Sequence, residues 1–318
     1  MNRKFCLLVG NGFTVDFIGK SFNTSKPFSN FNNISTSFGN LFYRINPIVD
    51  EIKLLASEIG DDFKAIETYL KYHRIGSMEE CQLRRFLSIA YSKLQIEIDK
   101  QENSNWRWLI WLQNHIQELE FAISFNYDIL LEHTLDNCNT EYFRTGTSEI
   151  ENGIPILKPH GSIDFDLAKV HFESTKTNHN WLNMANEILS RQQVWNMTFS
   201  QVETDGIVEI VQKKHWLLPR TQPDIIPPSQ ANYHKELEWV KKGFLHYNDV
   251  AYSITDLLII GHSYSECDRN EIDYFLERLM PNTIVHIVNP QLVEDLIDKL
   301  ESLNLEYRII TDFETMPW

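Results

Sequence analysis

"ISFNYDIL" (residues 123–130) runs an apolar stretch into two polar side chains, Asn126 and Asp128, that the interior of a buried strand has no use for. Strand interiors favour β-branched and aromatic residues, and a polar atom left unpaired there costs about 1–3 kcal/mol. The strand therefore closes near Phe125, and the polar pair serves something at its tip.

The same design recurs along the chain. "FCLLVG" (5–10) precedes "NG", "IPILK" (154–158) precedes "PHGS", "DLLIIG" (256–261) precedes "HSYS", and "TIVHIV" (283–288) precedes "NP". Near-continuous apolar runs, rather than alternating ones, belong to strands covered on both faces. The expected fold class is therefore α/β, a Rossmann-like doubly wound parallel sheet, with "EYRII" (306–310) as a late or edge strand.

Between the first two runs the chain changes character. Residues 20–40 are rich in Ser, Asn and Phe and read as a loop. From about Pro47 to Asn114 the apolar residues recur at three and four, which predicts a large helical insertion over about 41–118. Trp106, Trp108 and Trp111 are expected to pack within it. A variable region covers about 165–215, "PDIIPPSQ" (223–230) is a proline-rich break, and "HKELEWVKKGFLHYN" (234–248) is expected as a crossover helix. The whole of 1–318 is read as a single domain.

With 44 acidic against 29 basic residues, the net charge of −15 argues against a nucleic-acid partner. The basic stretch "VQKKHW" (211–216) with Arg220 reads as a solvated strand end. Cys6, Cys81, Cys138 and Cys267 are far apart and form no C-x-x-C pair, so neither a zinc module nor a disulfide scaffold is expected. That usage fits a reducing cytoplasm. No apolar run approaches a membrane span or a signal-peptide core, so no membrane partner is expected.

In a doubly wound sheet, ligands sit outside the carboxyl ends of the strands. The residues there are Gly10, Asn11, Gly12 and Phe13; Asn126 and Asp128; His160, Gly161 and Ser162; Gly261, His262, Ser263 and Asp268; and Asn289. Some also have local accounts. Asn126 is placed to cap a helix starting near Tyr127, Asp128 to sit in its first turn, and Asp268 to cap a later helix. Together these small, hydroxyl, amide and carboxylate groups suit a ribose-rich, diphosphate-bearing ligand.

"GNG", "FNYD", "KPHGS", "IIGHSYSECD" and "IVNP", in this order, resemble the motif set of the SIR2-like family, bacterial relatives of the sirtuins. "LLVGNGF" is also similar to the opening of the AbiH-type abortive-infection branch. Protein-deacylating sirtuins carry a four-cysteine zinc module after the His-Gly segment, whereas no cysteine lies between Cys138 and Cys267. Their first motif is usually Gly-Ala-Gly-Ser; here it is Gly-Asn-Gly-Phe.

The resemblance implies NAD as substrate, no metal, and NAD hydrolysis by a regulated effector of antiphage defence. The partner is expected to be a second copy or a regulatory subunit. A non-catalytic NAD or ADP-ribose sensor, a protein deacylase and a cyclase are the alternatives. By resemblance, Asn126 holds the ribose or the attacking water, and His160 accepts a proton. Asp128 is in support, orienting the turn or hydrogen-bonding the nicotinamide end, while Gly10, Asn11 and Gly12 cradle the diphosphate through backbone donors. Gly261 and Ser263 receive the adenosine side and Asn289 meets the adenine ribose. Phe13, Gly161, Ser162, His262 and Asp268 complete the expected cofactor-facing set.

Overall fold

The structure is a computed structural model that describes residues 3–19, 27, 45–73, 78–166, 208–217, 223–228, 237–313 and 316. The loop expected over 20–40 (Pro27 apart), residues 167–207 of the expected variable region, and Arg220 lie outside the described residues.

The strands are β1 (Phe5–Val9), β2 (Leu119–Ser124), β3 (Tyr142–Arg144), β4 (Ile154–Leu157), β5 (Gly161–Asp166), β6 (Glu209–Ile210), β7 (Pro223–Ile225), β8 (Asp256–Ile260), β9 (Ile284–Val288) and β10 (Glu306–Ile310). Seven of them form one sheet in the order β10-β9-β8-β1-β2-β4-β3. Every neighbouring pair in it is parallel. The doubly wound parallel sheet is thus the observed architecture, with β10 at its edge as expected.

The reason lies in how β1 divides its side chains. Phe5, Leu7 and Val9 enter one apolar core, while Cys6 and Leu8 enter the other. All five are fully buried, so neither face tolerates a polar residue. The first core is completed by α1 (Asn11–Ile18) and by the insertion helices α2 (Ile45–Ile59), α3 (Asp62–Leu70), α4 (Met78–Ile98) and α5 (Arg107–His115), together with α6 (Leu130–Asn137). The second is completed by α7 (Glu238–Ala251), α8 (Arg269–Leu276) and α9 (Glu294–Ser302).

The insertion therefore caps one face of the sheet. Trp108 and Trp111 are buried in that core, and Trp111 meets the Phe5 ring edge-on at 5.5 Å. Trp106 is tied differently, donating its indole N–H to the Asp16 carboxylate at 2.9 Å. Asp61 starts α3 by accepting the Lys64 amide at 2.9 Å, a helix cap of the usual kind.

Some elements differ from the sequence expectation. The helix after β2 begins at Leu130, not near Tyr127, because Asn126 and Asp128 are engaged in holding a bend that precedes it. "GSIDFD" (161–166), where the sequence suggested no strand, is the centre of a three-stranded antiparallel sheet ordered β6-β5-β7. Its acids are buried, and Asp164 survives there by pairing with Arg144 at 2.5 Å. The "KKH" of the basic stretch is a short 3₁₀ turn in which Lys213 pairs with Asp99. No helix among the described residues is long and apolar enough to cross a membrane.

Candidate functional site

From β1 the chain winds outward to β2 on one side and later returns to β8 on the other, so the winding direction reverses between β1 and β8. Such a reversal opens a crevice at the carboxyl ends of the two strands. Backbone bonds past the strand ends keep the tips together. Gly10 N–H donates to the Ile260 carbonyl (2.9 Å), Phe125 N–H to Val9 (3.0 Å) and Gly261 N–H to Val288 (2.9 Å).

The glycines are explained by this junction. Gly12 N–H donates to the Gly261 carbonyl at 2.8 Å, and a Cβ at Gly12 would stand 2.6 Å from Gly261 Cα. A Cβ at Gly10 would stand 2.8 Å from both the Gly261 carbonyl oxygen and the His262 ring. Gly261 itself has φ +62°, a conformation costly for any residue with a Cβ. The close approach these glycines permit is chain to chain. The amides of Gly10, Gly12 and Phe13, by contrast with that of Asn11, donate to carbonyls of this protein. Asn11, exposed at the first turn of α1, keeps its N–H without a partner among the described residues.

The Phe13 ring is fully buried in the first core, edge-on to Trp106 at 4.8 Å.

The puzzle of "FNYD" resolves around a residue that sequence reading missed. Asn126 Nδ2 donates to the Gly10 carbonyl (3.0 Å) and to Thr14 Oγ1 (3.1 Å). Thr14 in turn donates to Asp128 Oδ2 at 2.8 Å, and Asp128 Oδ1 accepts the Leu130 amide at 3.1 Å. Both amide hydrogens of Asn126 are thereby used, which orients its Oδ1 and leaves that atom without a partner among the described residues. Asp128 is buried, with both oxygens hydrogen-bonded within the protein at the entry to α6. Burial pushes its carboxyl up from the ordinary range, against the pull of nearby Lys158.

Lys158 is the second residue missed. Its side chain is fully buried, with Nζ 2.6 Å from the Asp128 carbonyl and 3.0 Å from Glu132 Oε1. It fastens the "KPHGS" turn to the "FNYD" turn. Gly161 (φ +74°) opens β5 and donates its N–H to the Lys158 carbonyl at 2.9 Å. Ser162 is fully buried with its hydroxyl 3.4 Å from the Tyr127 carbonyl. Ser162 therefore faces inward.

His160, Asp268 and His262 come together at the crevice. Asp268 Oδ1 lies 3.6 Å from His160 Nε2, and its Oδ2 lies 3.2 Å from His262 Nε2. Ser265 donates to the same Oδ2 at 2.5 Å. Burial alone would raise the Asp268 carboxyl, but the His262 hydrogen bond, the proximity of His160 and the Ser265 hydroxyl hold it well below the usual carboxylate range. Phe125, the apolar residue just before Asn126, stands edge-on to both rings, with centroids 5.2 Å from His160 and 4.7 Å from His262. Asn126 reaches the same group through Gly10, which abuts His262.

The "GHSYS" turn carries this arrangement on strained backbone, since Tyr264 as well as Gly261 has positive φ (+54°). Tyr264 is locked by its amide on His262 Nδ1 (2.9 Å) and its hydroxyl on Asp273 (2.6 Å). Asn289 pins the turn from β9, donating to the His262 carbonyl at 3.0 Å. Ser263 is exposed at the rim. Among the described residues, no group of three or more His, Cys, Asp or Glu is placed to hold a metal ion.

No protein-family model matches the chain, and no curated protein matches it. Solved structures do. A SIR2 in complex with the inhibitor EX-527, 2′-O-acetyl-ADP-ribose and a deacetylated p53 peptide aligns over 98% of this chain and 88% of its own, at 11% identity and a TM-score of 0.35. A sirtuin solved for the structural basis of its substrate affinity aligns over 98% and 89%, at 11% identity and a TM-score of 0.34. Likeness at this level assigns no role to any residue.

Proposed function

We propose that the chain is an NAD⁺ hydrolase that cleaves the bond between nicotinamide and the ribose C1′. The observation that supports it best is the pair of unspent atoms at the β1/β8 crevice, Asn126 Oδ1 and the Nδ1 of His160, each held in place by fixed neighbours. The motif resemblance supplies the substrate, and the crevice supplies a location of the right kind.

The chemistry matches what these groups offer. As the C1′–N bond breaks, its electron pair passes to the pyridinium nitrogen, so nicotinamide leaves neutral and needs no general acid. The ribose is left oxocarbenium-like, as in glycoside hydrolysis. Water then bonds to C1′ and gives up a proton. His160 takes that proton on Nδ1, and Asn126 Oδ1 accepts a hydrogen bond from the ribose hydroxyl or the water. A positioned base of this sort contributes about 10²–10⁴-fold in rate. Asn11 N–H and the exposed Ser263 hydroxyl are the donors left for the diphosphate and adenosine side.

Uncontrolled, such an activity would drain the cell's NAD. We therefore read the chain as a triggered effector of antiphage defence, gated by self-assembly or by a regulatory subunit. The test is nicotinamide release by the purified full chain, with and without candidate triggers. Release that is lost in both Asn126→Ala and His160→Gln supports the reading. A chain that binds NAD and releases nothing under any trigger is a sensor, and the hydrolase reading falls.

A further inference from the structure

We infer that Asp268 is the positioning residue of His160 and that His262 holds Asp268 in this role. The chemical consequence rests on the hydrolase reading; the pairing itself does not.

Asp268 occupies the N-cap position of α8 yet makes no side-chain cap bond. An aspartate there ordinarily turns its carboxylate onto the helix amides. This one is turned away, toward two imidazoles from two different strand tips. The steering groups are identifiable. His262 Nδ1 accepts the Tyr264 amide at 2.9 Å, so the proton of neutral His262 sits on Nε2 and points at Asp268 Oδ2, 3.2 Å away. Ser265 donates to the same oxygen. With Oδ2 doubly engaged, Oδ1 is the oxygen presented to His160 Nε2. The Cys267 thiol, 3.2 Å from Oδ1, is the other titratable group in contact, and Glu67 of α3 bears on that thiol electrostatically.

A carboxylate facing Nε2 favours the proton on that nitrogen and leaves the Nδ1 lone pair available as the base. Phe125 lies edge-on to both rings and limits their rotation. The assignment differs from the cofactor contact expected for His262 and Asp268. His262 is engaged by Tyr264 and Asp268, and Asp268 lies between the two imidazoles.

The experiment uses the full chain labelled with ¹⁵N-histidine, read by imidazole spectra beside nicotinamide release. In the wild type His160 is expected as the Nε2–H tautomer. Asp268→Asn keeps the side-chain shape and removes the charge, and it should give a mixed His160 tautomer. It should also lower kcat by about 10²-fold with KM changed less than about twofold, the size expected for a misplaced base. His262→Phe, which removes the steering donor and leaves the carboxylate, should move the same His160 signals and serves if Asp268→Asn does not fold. A wild-type His160 protonated on Nδ1, or His160 signals unmoved in both folded variants, overturns the pairing. If the wild type releases no nicotinamide, the hydrolase reading fails and the spectra alone decide the pairing. If Asp268→Asn keeps kcat and tautomer while His160→Gln is dead, the hydrolase stands and the pairing does not.

Discussion

Thr14, on the first helix, donates its hydroxyl to the Asp128 carboxylate 2.8 Å away and accepts from Asn126 at 3.1 Å. One buried hydroxyl therefore orders both polar residues of "FNYD". Thr14→Val keeps the shape and leaves Asp128 short of a donor, so it should destabilise the protein by about 1–3 kcal/mol in urea unfolding. Nicotinamide release should fall with it, since Asn126 loses one of its two anchors. Thr14→Ser should restore most of both. A valine variant within about 0.5 kcal/mol of wild type would show that the network carries no weight.

Gly12 tests what its missing side chain is for. The Cβ of Gly12→Ala would press on Gly261 Cα at 2.6 Å and on its carbonyl oxygen at 2.9 Å, both backbone atoms that cannot rotate aside. The expected result is a loss of about 1–3 kcal/mol of stability, as for other overpacked sites. A variant of wild-type stability whose sole defect is weaker nucleotide binding would instead put a ligand against Gly12.

The main sheet could be read from the sequence because strands such as β1 bury side chains into two cores at once, which leaves unbroken apolar runs. The positions of the strand tips followed. Their roles did not, because the atoms that occupy Asn126 belong to residues 112 and 116 positions away. Thr14 looks like any helix residue, and Lys158 like a surface lysine, until the fold brings each to its partner. The antiparallel sheet was hidden for a related reason. Nothing local in "GSIDFD" announces that Asp164 can be buried; Arg144, from a strand in the other sheet, is the main group that makes its burial tolerable. Gly-Asn-Gly was read as a phosphate turn, whereas its tightness serves the junction with Gly261.

Lys158 and Glu132 form a fully buried ion pair at 3.0 Å. Lys158→Met strands the Glu132 carboxylate and releases the Asp128 carbonyl, so it should cost about 3–5 kcal/mol. Adding Glu132→Leu should recover most of that loss, since two apolar groups can replace a buried pair. Thermal melts of the single and double variants decide it, and a double variant no more stable than the single would refute the pairing account.

The contact between α4 and α6 carries a pH signature. His133 Nδ1 lies 3.3 Å from Asp99 Oδ1, and that hydrogen bond, outweighing burial, raises the His133 pKa above its ordinary value. Burial would raise the Asp99 carboxyl, but bonds from His133, Lys213 and Gln95 hold it well below the usual range. A raised histidine contributes stability that is complete below its unfolded pKa of about 6.5 and is lost as pH rises through the higher folded value. The depressed Asp99 acts the other way, its share fading only as pH falls below about 4. Because the His133 side chain is 35% exposed, solvent screening limits its share to about 0.2–1 kcal/mol. Between pH 6 and 8 the wild type should therefore lose roughly 1–3 °C of Tm that His133→Gln does not lose. Parallel melting curves for the two proteins across that window would show that His133 is not held by Asp99.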